Sequence, residues 1–294
     1  MFQSLQDSLV LNNGVRIPCL GYGTWQTPEG VAKEGTLAAL RAGYRLIDSA
    51  SGYGTEADVG SAVRESGIPR EEIFVTTKHW IDSRGYTKTI EAAETSLKTL
   101  GLDYIDLYLI HWPCVSRTAE KWKEINAGTW RGFEKLYRDG KIRAIGVSNF
   151  LPEHIKALEE TAEILPSVNQ IEFHPGYDQP ALVQWCQNHG IVVEAWSPLG
   201  CGAVLSNPIL SGLSKKYGRT EAQICLRYAL QKNVIPLSKS THADRIVSNA
   251  QIFDFDITED DMLTIATMPP VGYSTYHPAE APADSLFGGS LDID

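Results

Sequence analysis

The amino-acid sequence predicts an α/β fold in which eight parallel strands close into a (β/α)₈ TIM barrel. Short apolar runs alternate with helical stretches along the whole chain, and eight such units follow one another. Parallel neighbours need crossover helices, so the alternation indicates an all-parallel sheet. Eight is the number of strands that closes into a barrel. A doubly wound open sheet is the alternative, but polar residues fall just past the strand ends, which favours the barrel.

The first element is a predicted β-hairpin over residues 9–17. Its apolar positions alternate around Asn13-Gly14, and an Asn-Gly pair is typical of a tight two-residue turn. No composition break or low-complexity linker divides the 294 residues, of which 43% are hydrophobic. We therefore expect one domain over residues 1–294.

The eight predicted strands follow the hairpin in chain order. They span residues 19–23, 45–48, 73–78, 105–111, 143–148, 168–173, 191–197 and 234–237. The stretches between them carry apolar residues at three- and four-residue spacing, which predicts amphipathic helices. One such helix is predicted over residues 87–100, and Gly101 suits the position after its end.

Three stretches are predicted to be irregular. Residues 112–128 follow the fourth strand, and residues 198–218, with a possible short helix, follow the seventh. Loops after barrel strands lie at the catalytic face, so both are expected to shape a pocket. Residues 269–294 form a C-terminal tail without periodicity. We place the tail near the barrel mouth, where it either covers the opening or hangs free.

Charge and composition exclude several classes of function. The formal charge is -10 with both signs interspersed, whereas nucleic-acid binding needs a basic face. The five cysteines form no C-x-x-C pair, as expected of free thiols in a reducing compartment. No apolar run approaches the roughly 18 residues of a membrane span, and the first residues do not resemble a signal peptide. We expect a cytoplasmic protein that contacts neither membrane nor nucleic acid.

Four polar side chains follow three consecutive strands. Asp48, Lys78 and His111 end the second, third and fourth strands, and Tyr53 lies in the loop after the second. Each residue alone is more often solvated or structural, but polar residues at the carboxyl ends of neighbouring barrel strands point to a catalytic site.

These side chains suit proton donation to a carbonyl oxygen. A free tyrosine has a pKa near 10, and a neighbouring ammonium such as that of Lys78 lowers it by stabilising the phenolate. Asp48 can hold Lys78 in place, and His111 can orient the substrate oxygen. The set therefore fits stabilisation of the negative charge that develops on a carbonyl oxygen as hydride reaches its carbon.

Motifs along nearly the whole chain strongly resemble those of the aldo-keto reductase family. They are Gly21-Tyr22-Gly23-Thr24-Trp25, Leu46-Ile47-Asp48-Ser49-Ala50, Tyr53-Gly54-Thr55-Glu56, Thr77-Lys78, the run from Asp103 to Pro113, Gly146-Val147-Ser148-Asn149-Phe150, the run from Asn169 to Pro175, Ser197-Pro198-Leu199-Gly200, and Lys239-Ser240-Thr241 with Arg245. Members of the 2,5-diketo-D-gluconate reductase and prostaglandin F synthase types are similar. The resemblance implies NADPH-dependent reduction of aldehydes or ketones, with Asp48, Tyr53, Lys78 and His111 as the catalytic tetrad.

The resemblance also implies where the cofactor binds. Ser148, Asn149 and Gln170 match positions that bind the carboxamide, and Trp196 matches an aromatic ring that stacks on the nicotinamide. Ser197, Leu199 and Gly200 open the loop over the pyrophosphate, and Lys239, Ser240, Thr241 and Arg245 match the 2′-phosphate site. Asn249 matches an adenine contact, although Ser248 stands where many members have glutamate. Gly23, Thr24, Trp25 and Asp48 complete the expected contacts.

A substrate pocket is predicted around three tryptophans at one mouth of the barrel. Trp25, Trp80 and Trp112 follow the first, third and fourth strands, and with His111 they are expected to contact an apolar or flat carbonyl substrate. Packing at the barrel rim is the alternative interpretation of these rings.

Two other functions stay open at this stage. One is a metal-dependent barrel hydrolase using His111 and His174, although the first strand supplies no ligand and no metal is expected. The other is a non-catalytic NADPH-binding regulatory subunit, which would not need the tetrad. We expect a monomer acting on a small-molecule carbonyl.

Overall fold

Eight parallel strands form a closed barrel behind an N-terminal hairpin, as the sequence predicts. The computed structural model describes residues 2–28, 30–115, 119–271 and 276–280. The hairpin pairs β1 (Ser8–Val10) with β2 (Arg16–Pro18), and the barrel contains β3 (Gly21–Gly23), β4 (Leu46–Asp48), β5 (Phe74–His79), β6 (Ile105–Ile110), β7 (Ile142–Ser148), β8 (Val168–Glu172), β9 (Val192–Trp196) and β10 (Val234–Ser238). The strands follow chain order around the barrel, and β10 closes it against β3.

The predicted two-residue turn of the hairpin is wrong, because the strands are joined by a three-residue loop over residues 12–14. The Leu11 N–H donates to the Val15 carbonyl at 2.8 Å, and the Gly14 N–H donates to the Leu11 carbonyl at 2.9 Å. Of the three loop residues only Gly14 has a positive φ, whereas a tight Asn-Gly turn needs two. The Asn13 side chain instead donates to the Arg143 carbonyl at 2.9 Å, which ties the loop to the barrel floor.

Alternation along the strands separates an apolar floor from a polar mouth. Inward-facing residues Leu46, Phe74 and Val168 pack with Ile17 of the hairpin in one buried cluster inside the barrel. Successive side chains on a strand point to opposite faces, so every second residue shares this inward direction. Continuing towards the carboxyl ends, the same inward rows reach the polar residues Asp48, Lys78, Gln170 and Glu194.

The outward faces of the strands pack against helices. A second buried cluster joins strand residues such as Ile47 and Val75 to helical residues such as Leu40 and Phe133. Among the described residues the helices are α1 (Ala32–Arg41), α2 (Glu56–Glu65), α3 (Tyr86–Leu100), α4 (Trp122–Arg138), α5 (Pro152–Glu159), α6 (Pro180–Asn188), α7 (Pro208–Tyr217), α8 (Glu221–Gln231), α9 (Ala243–Ala250) and α10 (Glu259–Ala266). None of these helices is long and apolar enough to cross a membrane.

Helix ends and loops match the sequence prediction in part. The predicted helix over residues 87–100 is α3, and Gly101 follows it with φ 64°, its N–H bonded to the Leu97 and Lys98 carbonyls. The predicted loop over residues 112–128 is shorter than expected, because α4 already begins at Trp122. The stretch over residues 198–218 contains a 3-10 turn (Gly200–Gly202) and α7.

The tail prediction falls largely outside the described residues, which omit residues 272–275 and 281–294. The short described segment 276–280 lies at the barrel mouth. Its Tyr276 and Pro278 line a small cavity together with Asn149 and Trp196.

Two glycines in helices provide a matched test of this packing. A Cβ at Gly60 in α2 would lie 1.8 Å from the Leu100 carbonyl oxygen, whereas a Cβ at Gly212 in α7 would meet no described atom within 4 Å. We expect Gly60→Ala to lower the free energy of unfolding by about 1–3 kcal/mol through overpacking. Gly212→Ala should raise it by about 1 kcal/mol, since alanine favours the helix. Urea denaturation measures both, and a stabilising Gly60→Ala would contradict the α2–α3 contact.

Candidate active site

A cavity of about 410 Å³ opens at the carboxyl ends of the barrel strands. Many of the predicted site residues line it: Gly23, Trp25, Asp48, Tyr53, His111, Trp112, Asn149, Gln170, Trp196, Ser197, Leu199, Lys239 and Arg245. Gln26, Pro198, Cys201, Gly202 and Leu237 complete the lining. The structure therefore brings residues from the first to the last barrel strand to one space.

A buried ion pair lies at the base of this cavity. Lys78 Nζ is 2.6 Å from Asp48 Oδ1 and donates a second bond to the Ser49 carbonyl at 2.8 Å. Lys78 is fully buried, which by itself lowers its pKa, but the negative charge of Asp48 and the phenol of Tyr53 raise it by more. Lys78 therefore stays charged inside the barrel.

A tight turn presents Tyr53 above the ion pair. The 3-10 turn Ser51–Tyr53 ends at Gly54 with φ 71°. The turn requires glycine at position 52, because a Cβ there would lie 2.3 Å from the Trp80 ring. Lys78 Nζ lies 4.9 Å from the centroid of the Tyr53 ring, and the Tyr53 hydroxyl lies 3.3 Å from His111 Nε2.

The pKa of Tyr53 is raised overall, whereas the sequence led us to expect that Lys78 would lower it. Burial raises the pKa of Tyr53 to about 12, and Asp48 adds to the rise. Lys78 lowers it, as predicted, but by less than burial raises it. The sequence shows that a cation is near but not how far the phenol is withdrawn from water, and desolvation of the phenolate is the larger effect here. Tyr53 is therefore a neutral phenol at neutral pH.

His111 is an uncharged imidazole beside Tyr53. Burial lowers the pKa of His111 well below its ordinary value, and the charges of Lys78 and His79 act in the same direction. Its ring lies 4.9 Å from the Trp80 ring, at an interplanar angle of 30°. Its Nδ1 is buried without a hydrogen bond among the described residues. Nε2, which faces Tyr53, is the nitrogen available to a ligand.

Two side-chain amides have their orientation fixed by groups that can only donate or only accept. The Trp196 Nε1–H donates to Asn149 Oδ1 at 2.8 Å, and Asn149 Nδ2 donates to the His111 carbonyl at 3.0 Å. Gln170 Nε2 donates to Asp48 Oδ2 and to Glu194 Oε2, both at 2.9 Å. An indole nitrogen is a donor and an ionised carboxylate an acceptor, so neither amide can be reversed without loss. The side-chain oxygen of Gln170, Oε1, therefore remains available to a ligand.

Lys239 and Arg245 place positive charge at the far end of the cavity. Lys239 Nζ donates to the Gln26 carbonyl at 3.2 Å, which connects the segments that follow the neighbouring strands β10 and β3. Ser240 Oγ accepts from the His242 N–H at 3.0 Å, and Thr241 is exposed just before α9. These residues surround the first turn of a helix, a place that suits an anionic group.

Some predicted contact residues do not line the cavity. They are Thr24, Lys78, Trp80, Ser148, Gly200, Ser240, Thr241 and Asn249. Thr24 is buried and donates to the Asp48 carbonyl at 2.9 Å, and Ser148 donates to the Gln170 carbonyl at 2.8 Å. Trp80 packs on the Tyr53 and His111 rings.

Sequence reasoning missed Glu194. This side chain is fully buried at the middle of β9 and shares the amide of Gln170 with Asp48. The signal was present, because a carboxylate inside the apolar run Val192-Val193-Glu194-Ala195 is unusual for a buried strand.

His111 and His174 do not share a site. His174 bonds to Glu172 and to the Pro175 carbonyl instead. Within the described ranges, no group of three or more His, Cys, Asp or Glu side chains is arranged to hold a metal ion.

Comparisons with known proteins agree on one family. The family model described as "Aldo/keto reductase family" matches residues 19–268. The chain is 47% identical over 260 residues to the glyoxal reductase of Bacillus subtilis, covering 88% of this chain and 91% of that protein. It is 44% identical to a 9,11-endoperoxide prostaglandin H2 reductase of Trypanosoma cruzi, covering 88% and 90%. The crystal structure of a Bombyx mori aldo-keto reductase in complex with NADP has a TM-score of 0.84 at 35% identity, covering 94% and 96%.

The buried ion pair makes a prediction about stability. Lys78→Met leaves Asp48 buried without its cation, so we expect a loss of about 3–5 kcal/mol in the free energy of unfolding. The double variant Asp48→Asn/Lys78→Met removes both charges and should recover much of that loss. Urea denaturation at pH 7 measures these two variants and the single variant Asp48→Asn. A double variant as unstable as the sum of the two single variants would show that the charges do not interact.

Proposed function

The chain belongs to the aldo/keto reductase family, and from that premise we propose that it reduces an aldehyde or ketone to an alcohol, with NADPH as hydride donor and Tyr53 as proton donor. One observation carries the proposal. The Tyr53 hydroxyl and His111 Nε2 converge to 3.3 Å at the cavity, directly above the Lys78–Asp48 ion pair. A carbonyl oxygen bound there would meet two polar groups at once.

The cavity fits a nicotinamide dinucleotide. The tetrad consists of acids and bases, so the hydride must come from a cofactor, and NADPH supplies it when bound. The Trp196 ring lines the cavity and offers a flat apolar surface for the nicotinamide. The side-chain nitrogen of Gln170 already donates both of its hydrogens. Its side-chain oxygen Oε1 is therefore the acceptor available for the carboxamide N–H. The Bombyx mori relative is a complex with NADP, which supports the same choice.

Asn149 and Ser148 can offer few hydrogen bonds to the carboxamide, because most of their polar groups already have partners. Both hydrogens of the Asn149 amide nitrogen are used, on the His111 carbonyl and on Ser148 Oγ. Asn149 Oδ1 accepts from Trp196 and retains one lone pair, so it can accept but not donate. The proposed roles of Asn149 are therefore to accept one bond and to hold the Trp196 ring.

Proton transfer from Tyr53 follows from its environment. At neutral pH the phenol keeps its proton, because burial raises the pKa of Tyr53 to about 12. The alkoxide formed on hydride arrival is a much stronger base than a phenolate, so the proton moves to it. Lys78 then stabilises the phenolate left behind. Neutral His111 orients the carbonyl oxygen through Nε2 without competing as an acid.

The phosphate end of the cavity favours NADPH over NADH. Lys239 and Arg245 line it and supply two cations for a 2′-phosphate, with Ser240 and Thr241 adjacent at the start of α9. Charge-assisted bonds to a dianionic phosphate are among the stronger hydrogen bonds in proteins. Asn249, on the same helix, is the proposed adenine contact.

The mouth of the cavity favours a small apolar or flat carbonyl compound. Trp25 and Trp112 line it beside His111. Trp80 does not line the cavity and contributes less directly, through its contacts with the His111 and Tyr53 rings. The name of the Bacillus subtilis relative makes glyoxal a reasonable member of any substrate panel.

Tyr53→Phe tests the proton donor. We expect kcat for glyoxal and for a nitrobenzaldehyde to fall by about 10²–10⁴, the usual contribution of a positioned acid. NADPH binding, measured by fluorescence titration, should be unchanged because the phenyl ring remains and only the hydroxyl is lost. A variant that kept most of its turnover would exclude Tyr53 as the acid. Tight NADPH binding by a wild-type protein that reduces no carbonyl in the panel would favour a binding subunit instead.

Arg245→Met tests the phosphate site, with NADH as the matched control ligand. Loss of one bond to a charged group costs about 1.5–3 kcal/mol, so Kd for NADPH should rise about 10- to 100-fold. Kd for NADH, which lacks the 2′-phosphate, should be unchanged. Equal weakening of both cofactors would show that Arg245 acts elsewhere.

A further inference from the structure

Glu194 is a buried carboxyl group next to the tetrad that the proposed mechanism does not use. It lies in β9 with no exposed surface. Its Oε2 accepts from Gln170 Nε2 at 2.9 Å, and its Oε1 is buried without a hydrogen bond among the described residues. A half-satisfied carboxyl group is costly in a barrel interior, and so calls for an explanation.

The surroundings of Glu194 hold it near the point of ionisation. Gln170 faces it from β8, Asp48 and Lys78 face it from β4 and β5, and on β10 its register partner is the apolar Ile235. Burial raises the pKa of Glu194 to about 8, and the charge of Asp48 acts in the same direction. The Gln170 bond and Lys78 oppose this rise. Glu194 therefore gains or loses its proton close to physiological pH.

Gln170 connects Glu194 to the cavity. Its amide nitrogen donates one hydrogen to Asp48 and the other to Glu194, so the two carboxyl groups together fix the amide plane. The opposite end of that amide belongs to a residue that lines the cavity. Glu194 is thus one side chain away from the proposed position of the nicotinamide.

We propose that Glu194 is a positioning residue for Gln170 whose ionised form selectively strengthens binding of the oxidised cofactor, NADP⁺, over NADPH. The inference rests on the proposed function, because it needs a nicotinamide at this cavity. The oxidised ring carries a positive charge and the reduced ring does not. A carboxylate in a buried, low-dielectric setting attracts that charge more strongly than it would in water.

The sign of the pH dependence follows from linkage. Ionised Glu194 favours NADP⁺, so affinity for NADP⁺ relative to NADPH increases as pH rises through the pKa of Glu194. Reciprocally, NADP⁺ lowers that pKa, and its binding near pH 8 releases a fraction of a proton. The adenine, pyrophosphate and 2′-phosphate are common to both cofactors. Their own titrations therefore cancel in the ratio of the two dissociation constants.

The test measures Kd for NADP⁺ and NADPH by fluorescence titration between pH 6.5 and 9.5. In the wild type we expect the ratio Kd(NADPH)/Kd(NADP⁺) to rise by up to about tenfold, which corresponds to a shift of one pKa unit. In Glu194→Gln the amide can still accept from Gln170 but cannot ionise, so the ratio should stay constant. Glu56→Gln is the matched control, since Glu56 is a buried carboxyl with a raised pKa that bonds Thr77 away from the cavity. It should keep the wild-type rise.

Each outcome decides the proposal. A constant ratio in the wild type, or a rise that persists in Glu194→Gln, overturns it while leaving carbonyl reduction untouched. Failure of the wild type to bind either cofactor contradicts the proposed function and removes this inference with it. Should Glu194→Gln not fold, calorimetry of the wild type at pH 8 in two buffers of different ionisation enthalpy decides. Greater proton release with NADP⁺ than with NADPH supports the proposal, and equal release overturns it.

Discussion

The ion pair between Lys78 and Asp48 organises the rest of the site. It keeps a full positive charge inside the barrel, where burial alone would lower the pKa of Lys78. That charge opposes the desolvation of a Tyr53 phenolate and helps to keep His111 neutral. The second oxygen of Asp48 accepts from Gln170, so the same carboxylate also orients the amide that faces the cavity. The proposed acid, the proposed orienting imidazole and the proposed cofactor contact therefore all depend on one buried ion pair.

The barrel makes this arrangement possible through simple alternation. On β4, Leu46 and Asp48 both point inward, and on β5 Phe74 and Lys78 do so. The lower members of these rows join the apolar floor sealed by the hairpin, and the upper members form the polar mouth. A shift of one residue in the register of either strand would turn Asp48 or Lys78 towards the helices. Packing of the floor thus determines where the charges meet.

What the sequence could predict depends on the range of the interactions involved. The eight strands and the positions of Asp48, Tyr53, Lys78 and His111 follow from local periodicity and motif order, and the structure places these four side chains together. The hairpin turn was mispredicted because Asn13 bonds to Arg143, a partner 130 residues away. The direction of the Tyr53 pKa shift and the importance of Glu194 depend on burial by several strands at once. The apolar run around Glu194 marks it as unusual, but no local pattern gives the extent of that burial.

Trp196 shows how the choice of one aromatic side chain can determine a hydrogen-bond network. A tyrosine at this position would carry a hydroxyl that can either donate or accept. The indole nitrogen can only donate, and it donates to Asn149 Oδ1. That bond fixes the Asn149 amide, which in turn donates to the carbonyl of His111. Trp196, which we propose stacks on the nicotinamide, is therefore connected through Asn149 to the backbone of His111. We propose that His111 orients the substrate. Within the proposed function, the position of the cofactor ring and the placement of the carbonyl oxygen by His111 are therefore coupled through Asn149, independently of the Lys78–Asp48 ion pair.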